Sequence, residues 1–104
     1  MEINDVKEWN DFKDGKNIIL CEGIQEVKCF LEICRKNKLK WLDGNEIIPD
    51  VDSTKYKGNL LFGTSIFKTI NERRLCYTGF DKTKYVVVFS KFYNLLDSKW
   101  EDEI

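Results

Sequence analysis

Ile24, Val27, Leu31 and Cys34 recur at steps of three and four residues, and Phe30 and Ile33 widen the stripe they make. That spacing predicts a helix over about 24–37 with a broad apolar face, one that needs a layer to lie against. The other apolar segments are too short and too β-branched to be further helices. Ile18-Ile19-Leu20-Cys21 and Tyr85-Val86-Val87-Val88-Phe89 have strand length, and the second has the composition of a central strand. One long amphipathic helix beside several strand-length runs predicts a small α+β domain, with helices on one face of a mostly antiparallel sheet of about 4–6 strands. At 104 residues the chain is expected to be a single domain over 1–104.

Local signals fill in the rest. Residues 4–13 read as a short helix packed on the main one, with Asn4 or Asp5 as its cap, Val6, Trp9 and Phe12 on its inner face and Gly15 as its stop. Gly23 separates the first strand from the main helix. Asp43-Gly44 between 39–42 and 45–48 is a type I′ hairpin signal, closed off by Pro49. A polar loop is expected over 50–59, a strand over 60–70 with Gly63 as a bulge or break, a turn over 71–74, a strand over 75–78 and a loop over 79–84. Phe92, Leu95, Leu96 and Trp100 suggest a last helical turn or two, and the acidic end over 98–104 is expected to fray.

Several of these segments together resemble a family of small accessory proteins of phages and prophages of low-G+C bacteria. The carrying motifs are Trp9-x-x-Phe12-x-x-Gly15-Lys16, a strand ending in Cys21, Phe30-Leu31-x-x-Cys34 and Leu39-Lys40-Trp41-x-x-Gly44, with Leu75-Cys76-Tyr77 as a later short strand. The likeness covers about 6–48 well and 55–90 loosely. This chain has Lys38 where the family has a helix-ending glycine, so Asn37 is expected to supply the left-handed cap. The resemblance implies a mobile-element accessory protein without enzymatic activity. Abundant lysine, asparagine and isoleucine, with no alanine, suit an AT-rich genome of that kind.

The chemistry points the same way. With no histidine, imidazole bases, Cys/His and Ser/His pairs and His-containing zinc sites are excluded. Cys21, Cys29, Cys34 and Cys76 form no C-x-x-C pair, so a thiolate metal site lacks its spacing and the expected role is that of small buried hydrophobes. Cys29 and Cys34, five residues apart on one helix, sit about 140° apart around its axis and cannot bridge. Cys34 is the candidate for a reactive thiol, because Arg35, Lys36, Lys38 and Lys40 follow it. No glycine-rich phosphate loop, calcium loop or paired catalytic carboxylates are present. The expectation is no enzyme, no cofactor and no metal.

Charge is segregated behind a net −1: residues 1–15 sum to −3, 28–40 to +4 and 68–84 to +3. Such runs are ordinarily solvated faces, and functionally they can hold phosphate or an acidic protein surface. Arg73 and Arg74, read as a pair on a turn, offer planar forks, with Tyr77, Tyr56 and Trp41 as stacking surfaces beside them. Arg35, Lys36, Lys38 and Lys40 make the second basic group. The leading expectation is a counter-defence inhibitor of the anti-CRISPR kind, binding a bacterial immune protein such as a CRISPR effector stoichiometrically. The alternatives are a sponge for a nucleotide immune signal at Arg73 and Arg74, and a nucleic-acid accessory factor using the 28–40 segment. No apolar run approaches the roughly 18 residues of a membrane span, and 1–5 is acidic with no apolar segment behind it, so the chain is expected to act in the host cytoplasm.

Overall fold

A computed structural model describes residues 3–49, 59–67 and 72–100. After a single 3-10 turn over Ile3–Asp5 come helix α1 (Lys7–Lys13), strand β1 (Asn17–Glu22), helix α2 (Ile24–Lys36), strands β2 (Asn59–Phe67), β3 (Glu72–Tyr77) and β4 (Tyr85–Val88), and helix α3 (Phe89–Trp100). The strands form one four-stranded sheet in the order β3-β2-β1-β4. β1 runs antiparallel to β2 and parallel to β4, and β2 runs antiparallel to β3, so the sheet is mixed. This is the expected α+β domain, at the lower end of the expected strand number.

Register decides which residues share a face. Ile19 lies opposite Phe62 on one side and Val87 on the other, and Phe62 lies opposite Tyr77. Because facing residues share a side and neighbours alternate, Cys21, Ile19, Phe62, Leu75 and Val87 point into one core, beneath the helices. The helices contribute Trp9, Phe12, Val27, Phe30, Leu31, Ile33, Cys34 and Phe92. Phe30 is the hub. Its ring lies 5.3 Å from those of Phe12 and Phe62, and 6.1 Å from those of Phe89 and Phe92. The edge-on and tilted geometries are those the ring quadrupoles favour.

Two helix ends explain how the chain turns back onto the sheet. α1 stops at Gly15, whose φ is +77°. Gly15 N–H donates to Phe12 O at 3.1 Å and Lys16 N–H to Asp11 O at 2.8 Å, the paired bonds of a Schellman motif. α2 ends in the same way one position later than expected. Lys38, not Asn37, takes the left-handed conformation, with φ +64° against −97° at Asn37. Lys38 N–H donates to Arg35 O at 3.0 Å and Leu39 N–H to Cys34 O at 3.0 Å, while Asn37 Nδ2 caps Ile33 O at 2.8 Å. The backbone therefore keeps a glycine-type geometry where this sequence carries lysine. Lys38→Gly is expected to stabilise the fold by about 0.5–1 kcal/mol: roughly 1–2 of left-handed strain relieved, less the extra freedom glycine gains when unfolded. Urea unfolding of the two proteins measures it.

Other differences from the sequence reading have local causes. α1 begins after Val6, so the cap position falls on Val6, which makes no side-chain cap, and not on the expected Asn4 or Asp5. A turn forms at Asp43-Gly44, but not the expected type I′: Gly44 alone has a positive φ, +92°, and the bonds Gly44 N–H to Trp41 O and Trp41 N–H to Asn45 O close a three-residue loop over 42–44 that ends in the left-handed glycine. Its arms, however, are single bridges and not strands. Lys40 pairs with Glu46, and Trp41 pairs in parallel with Leu75 of β3. The expected turn over 71–74 is already strand from Glu72 onward. Tyr85–Val88, expected to be central, lies at the sheet's edge. The C-terminal segment makes a full helix to Trp100, so 98–100 are helical where fraying was expected. Residues 50–58, 68–71 and 101–104, on which the polar loop, the strand end and the acidic tail fall, lie outside the described residues.

Candidate functional site

The residues expected to bind do not gather in one place. Arg73 and Arg74 occupy successive positions of β3, so the pleat sends them to opposite faces. Arg73 lies on the helical side, opposite Ile66, and its Nη1 donates to Thr64 O at 3.2 Å. Its guanidinium rests on Gly15: a Cβ there would come within 2.2 Å of Nη1. Arg74 is only 9% exposed; its Nε meets Glu72 Oε2 at 3.2 Å and its guanidinium lies against Gly44. Reading the pair as a turn made them neighbours on one surface. As strand residues they brace two separate loops, α1–β1 and 41–45.

Tyr77 shares the helical side with Arg73 but lies four residues along the strand, about 13 Å away. There it stacks on Trp41, with ring centroids 5.2 Å apart and planes 28° from parallel. Behind it stands Phe62, 5.1 Å from the Tyr77 ring. The stack exists because the 40–42 segment adds to the outer edge of β3: Leu42 N–H donates to Leu75 O at 3.0 Å and Leu75 N–H to Lys40 O at 2.9 Å. Trp41 is half-buried against the core, while Tyr77 is 45% exposed. Tyr56 lies outside the described residues.

The sequence reading missed two exposed apolar groups close in the chain to Trp41 and Tyr77. Phe80, three residues beyond Tyr77, is 80% exposed, and Leu42 is 38% exposed beside Trp41. The signal for Phe80 was legible: an aromatic residue between Gly79 and Asp81, in a segment otherwise made of turn formers and lysines. The basic group precedes Trp41 in the chain. Lys36, Lys38 and Lys40 are exposed at and after the end of α2, and Lys40 leads directly into Trp41. Arg35 is committed differently. Its Nε donates to Glu32 at 3.0 Å and its Nη2 contacts the other oxygen of the same carboxylate. That bidentate bond holds the Glu32 carboxyl below its usual range.

Cys34, the candidate reactive thiol, is not placed for reaction. Cys34 is completely buried beneath α2, and burial pushes its thiol well above the ordinary range; the basic residues that follow do not face it. Burial does the same to Cys21 and, less completely, Cys29. Cys34 is therefore withdrawn as a nucleophile. Among the described residues no group of His, Cys, Asp and Glu could hold a metal ion, and no helix is long and apolar enough to cross a membrane.

A second polar cluster sits where α1 crosses the start of β1 and β4. Lys7 Nζ meets Asp11 Oδ2 at 2.7 Å and lies 5.4 Å from the Tyr85 ring centre, and the Tyr85 hydroxyl donates to the same carboxylate. Lys7 and Tyr85 together hold the Asp11 carboxyl low, while desolvation, then Asp11, raises the Tyr85 hydroxyl. Asn17, fully buried behind them, donates through Nδ2 to Glu8 O at 3.0 Å. These bonds tie α1 to the sheet. Asp11 is engaged twice, by Lys7 and by Tyr85.

No protein-family model, no curated protein and no solved structure matches the chain.

Proposed function

We propose that this chain is a small mobile-element accessory protein that acts as a stoichiometric, non-enzymatic counter-defence inhibitor in the cytoplasm of a bacterial host. The supporting observation is the Trp41–Tyr77 stack at a sheet edge, with exposed Leu42 next to Trp41 in the chain, exposed Phe80 three residues after Tyr77, and exposed Lys36, Lys38 and Lys40 in the segment that leads into Trp41. Aromatic anchors on a rigid support carry most of the energy in protein interfaces, since they lose little conformational freedom on docking. The partner fitting this surface has an apolar pocket bordered by acidic residues. Neighbouring lysines would speed its capture more than they strengthen it. Bacterial immune effectors that bind DNA or RNA, CRISPR effectors among them, are the partner class.

Purified effectors mixed with the chain, followed by light scattering and by assay of target cleavage, test the reading. A complex of fixed stoichiometry and loss of cleavage are expected. Phe80→Ala should weaken the complex at least tenfold, about 1.4 kcal/mol, without moving the unfolding midpoint, because Phe80 supports nothing in the fold. No complex with any effector, together with no protection of the mobile element in infected cells, would sink it. Affinity for nucleic acid alone that falls steeply with salt would instead assign the lysines to phosphate.

A further inference from the structure

The chain between β3 and β4 is held at both ends and leaves one aromatic ring outside. On the entering side Thr78 N–H donates to Leu61 O at 3.0 Å, which carries the β2–β3 ladder one residue past Tyr77. On the leaving side the bonds gather on Asp81. Its Oδ1 accepts from Thr83 N–H at 2.9 Å and from the Thr83 hydroxyl at 2.7 Å, and its carbonyl accepts from Lys84 N–H at 3.0 Å. A carboxylate bonded to the N–H two residues on is an Asx-turn, and β4 opens directly after it at Tyr85. Only Gly79 and Phe80 lie between the two fixed points.

We propose that Asp81 and Thr83 are positioning residues for Phe80: they hold its ring in the pose in which it enters an apolar pocket on the partner, one whose rim carries carboxylates facing Lys82 and Lys84. This holding role rests on the inhibitor reading and adds to it at the same surface. The turn by itself needs no aromatic residue. A polar residue would serve before Asp81, yet the chain places there a phenylalanine that is 80% exposed and outside the core cluster. The ring therefore leaves no gap in the fold when it docks, and it has only two side-chain torsions to freeze. The backbone beneath it is the larger cost, since fixing one free residue on binding lowers affinity by a factor of roughly five to thirty. A turn already closed by Asp81 meets that cost before the partner arrives.

Charge in the turn fits the same partner. The Asp81 carboxylate is engaged by the Thr83 hydroxyl and N–H, which hold it below the usual carboxylate range, with Lys84 adding to the effect. Lys82, exposed in the middle of the turn, has no ion-pair partner among the described residues. Lys82 and Lys84 against Asp81 leave this segment with a positive balance, which favours a pocket rimmed by acid over one rimmed by base. Such rim charges speed encounter more than they hold a complex together. Affinity is therefore expected to follow the Phe80 ring and the bonds that hold it.

Two measurements on the full chain test this. In the free protein, backbone order parameters over 79–84 are expected near the rigid value of roughly 0.85, falling toward about 0.6 in Asp81→Ala. A flexible 79–84 segment in the unmodified free chain overturns the proposal without any partner. Titrated against purified CRISPR effectors, Asp81→Ala is expected to weaken the complex by about five- to tenfold. Asp81→Asn, whose amide oxygen still accepts from Thr83, should bind within about twofold of the unmodified chain. In a Phe80→Ala background Asp81→Ala should cost nothing further, because it acts only through the ring. A loss that persists there makes Asp81 a contact in its own right and overturns the positioning role. A complex indifferent to Asp81→Ala overturns it too, as does Asp81→Asn binding no better than Asp81→Ala. Urea unfolding establishes that each variant is folded; if Asp81→Ala is not, Thr83→Ala, which removes the hydroxyl bond alone, takes its place with an expected loss of about threefold. No complex with any effector sinks the inhibitor reading and this proposal together, whereas a complex that ignores the turn sinks this proposal alone.

Discussion

Phe30→Ala is expected to lower stability by about 3–5 kcal/mol, the range for removing a buried aromatic ring. Phe30 sits at the near-centre of the ring cluster, fully buried, and touches α1 through Phe12, the sheet through Phe62 and α3 through Phe89 and Phe92. These rings come from separate elements, so no single one can move into the vacated space without pulling its own element from the sheet. Against a total of about 5–15 kcal/mol for a typical domain, such a loss is large. Phe30→Leu keeps most of the volume and should lose less than half as much. Denaturant unfolding followed by tryptophan fluorescence reports both, since Trp9 packs in the same cluster. A Phe30→Ala loss below about 1 kcal/mol would mean the core can collapse around the gap.

Gly15→Ala is expected to destabilise by about 2 kcal/mol, and by a mechanism that separates into two parts. The left-handed conformation at Gly15 strains any residue with a Cβ by roughly 1–2 kcal/mol. The added methyl would also lie 2.2 Å from Arg73 Nη1, so the guanidinium must swing out and give up its bond to Thr64 O. A hydrogen bond from a charged donor is worth about 1.5–3 kcal/mol when buried and less at this half-exposed position. In an Arg73→Ala background that second part is already lost. The two changes should therefore be less than additive, by about 0.5–1.5 kcal/mol. Full additivity in a double-mutant cycle would show that Arg73 does not brace the α1–β1 turn. The assay also bears on function: an Arg73 held in this way is a structural residue, and its removal should leave partner binding at Trp41 and Phe80 intact.

What the sequence determined by itself was local. The three- and four-residue spacing of Ile24, Val27, Leu31 and Cys34 placed α2 within a residue, because helix periodicity is written in consecutive positions. Gly15, Gly23 and Asp43-Gly44 marked turns, since a positive φ leaves few choices of residue. Lys38 shows the limit of that rule: the paired backbone bonds and the packing of Leu39 hold a left-handed residue even where it is not glycine.

Everything that depends on strand order was decided only in three dimensions. An apolar run such as 85–88 has the same composition whether it is central or at an edge, and among the described residues β4 pairs with β1 alone. Arg73 and Arg74 are adjacent in sequence, yet a two-residue period sets them on opposite faces once 72–77 is strand. Trp41 and Tyr77 lie 36 positions apart in the chain and meet because the 40–42 segment bonds to Leu75. Exposure is likewise set in three dimensions: Trp41, Tyr77 and Phe80 are all aromatic, yet Trp41 packs half-buried against the core while Tyr77 and Phe80 are exposed.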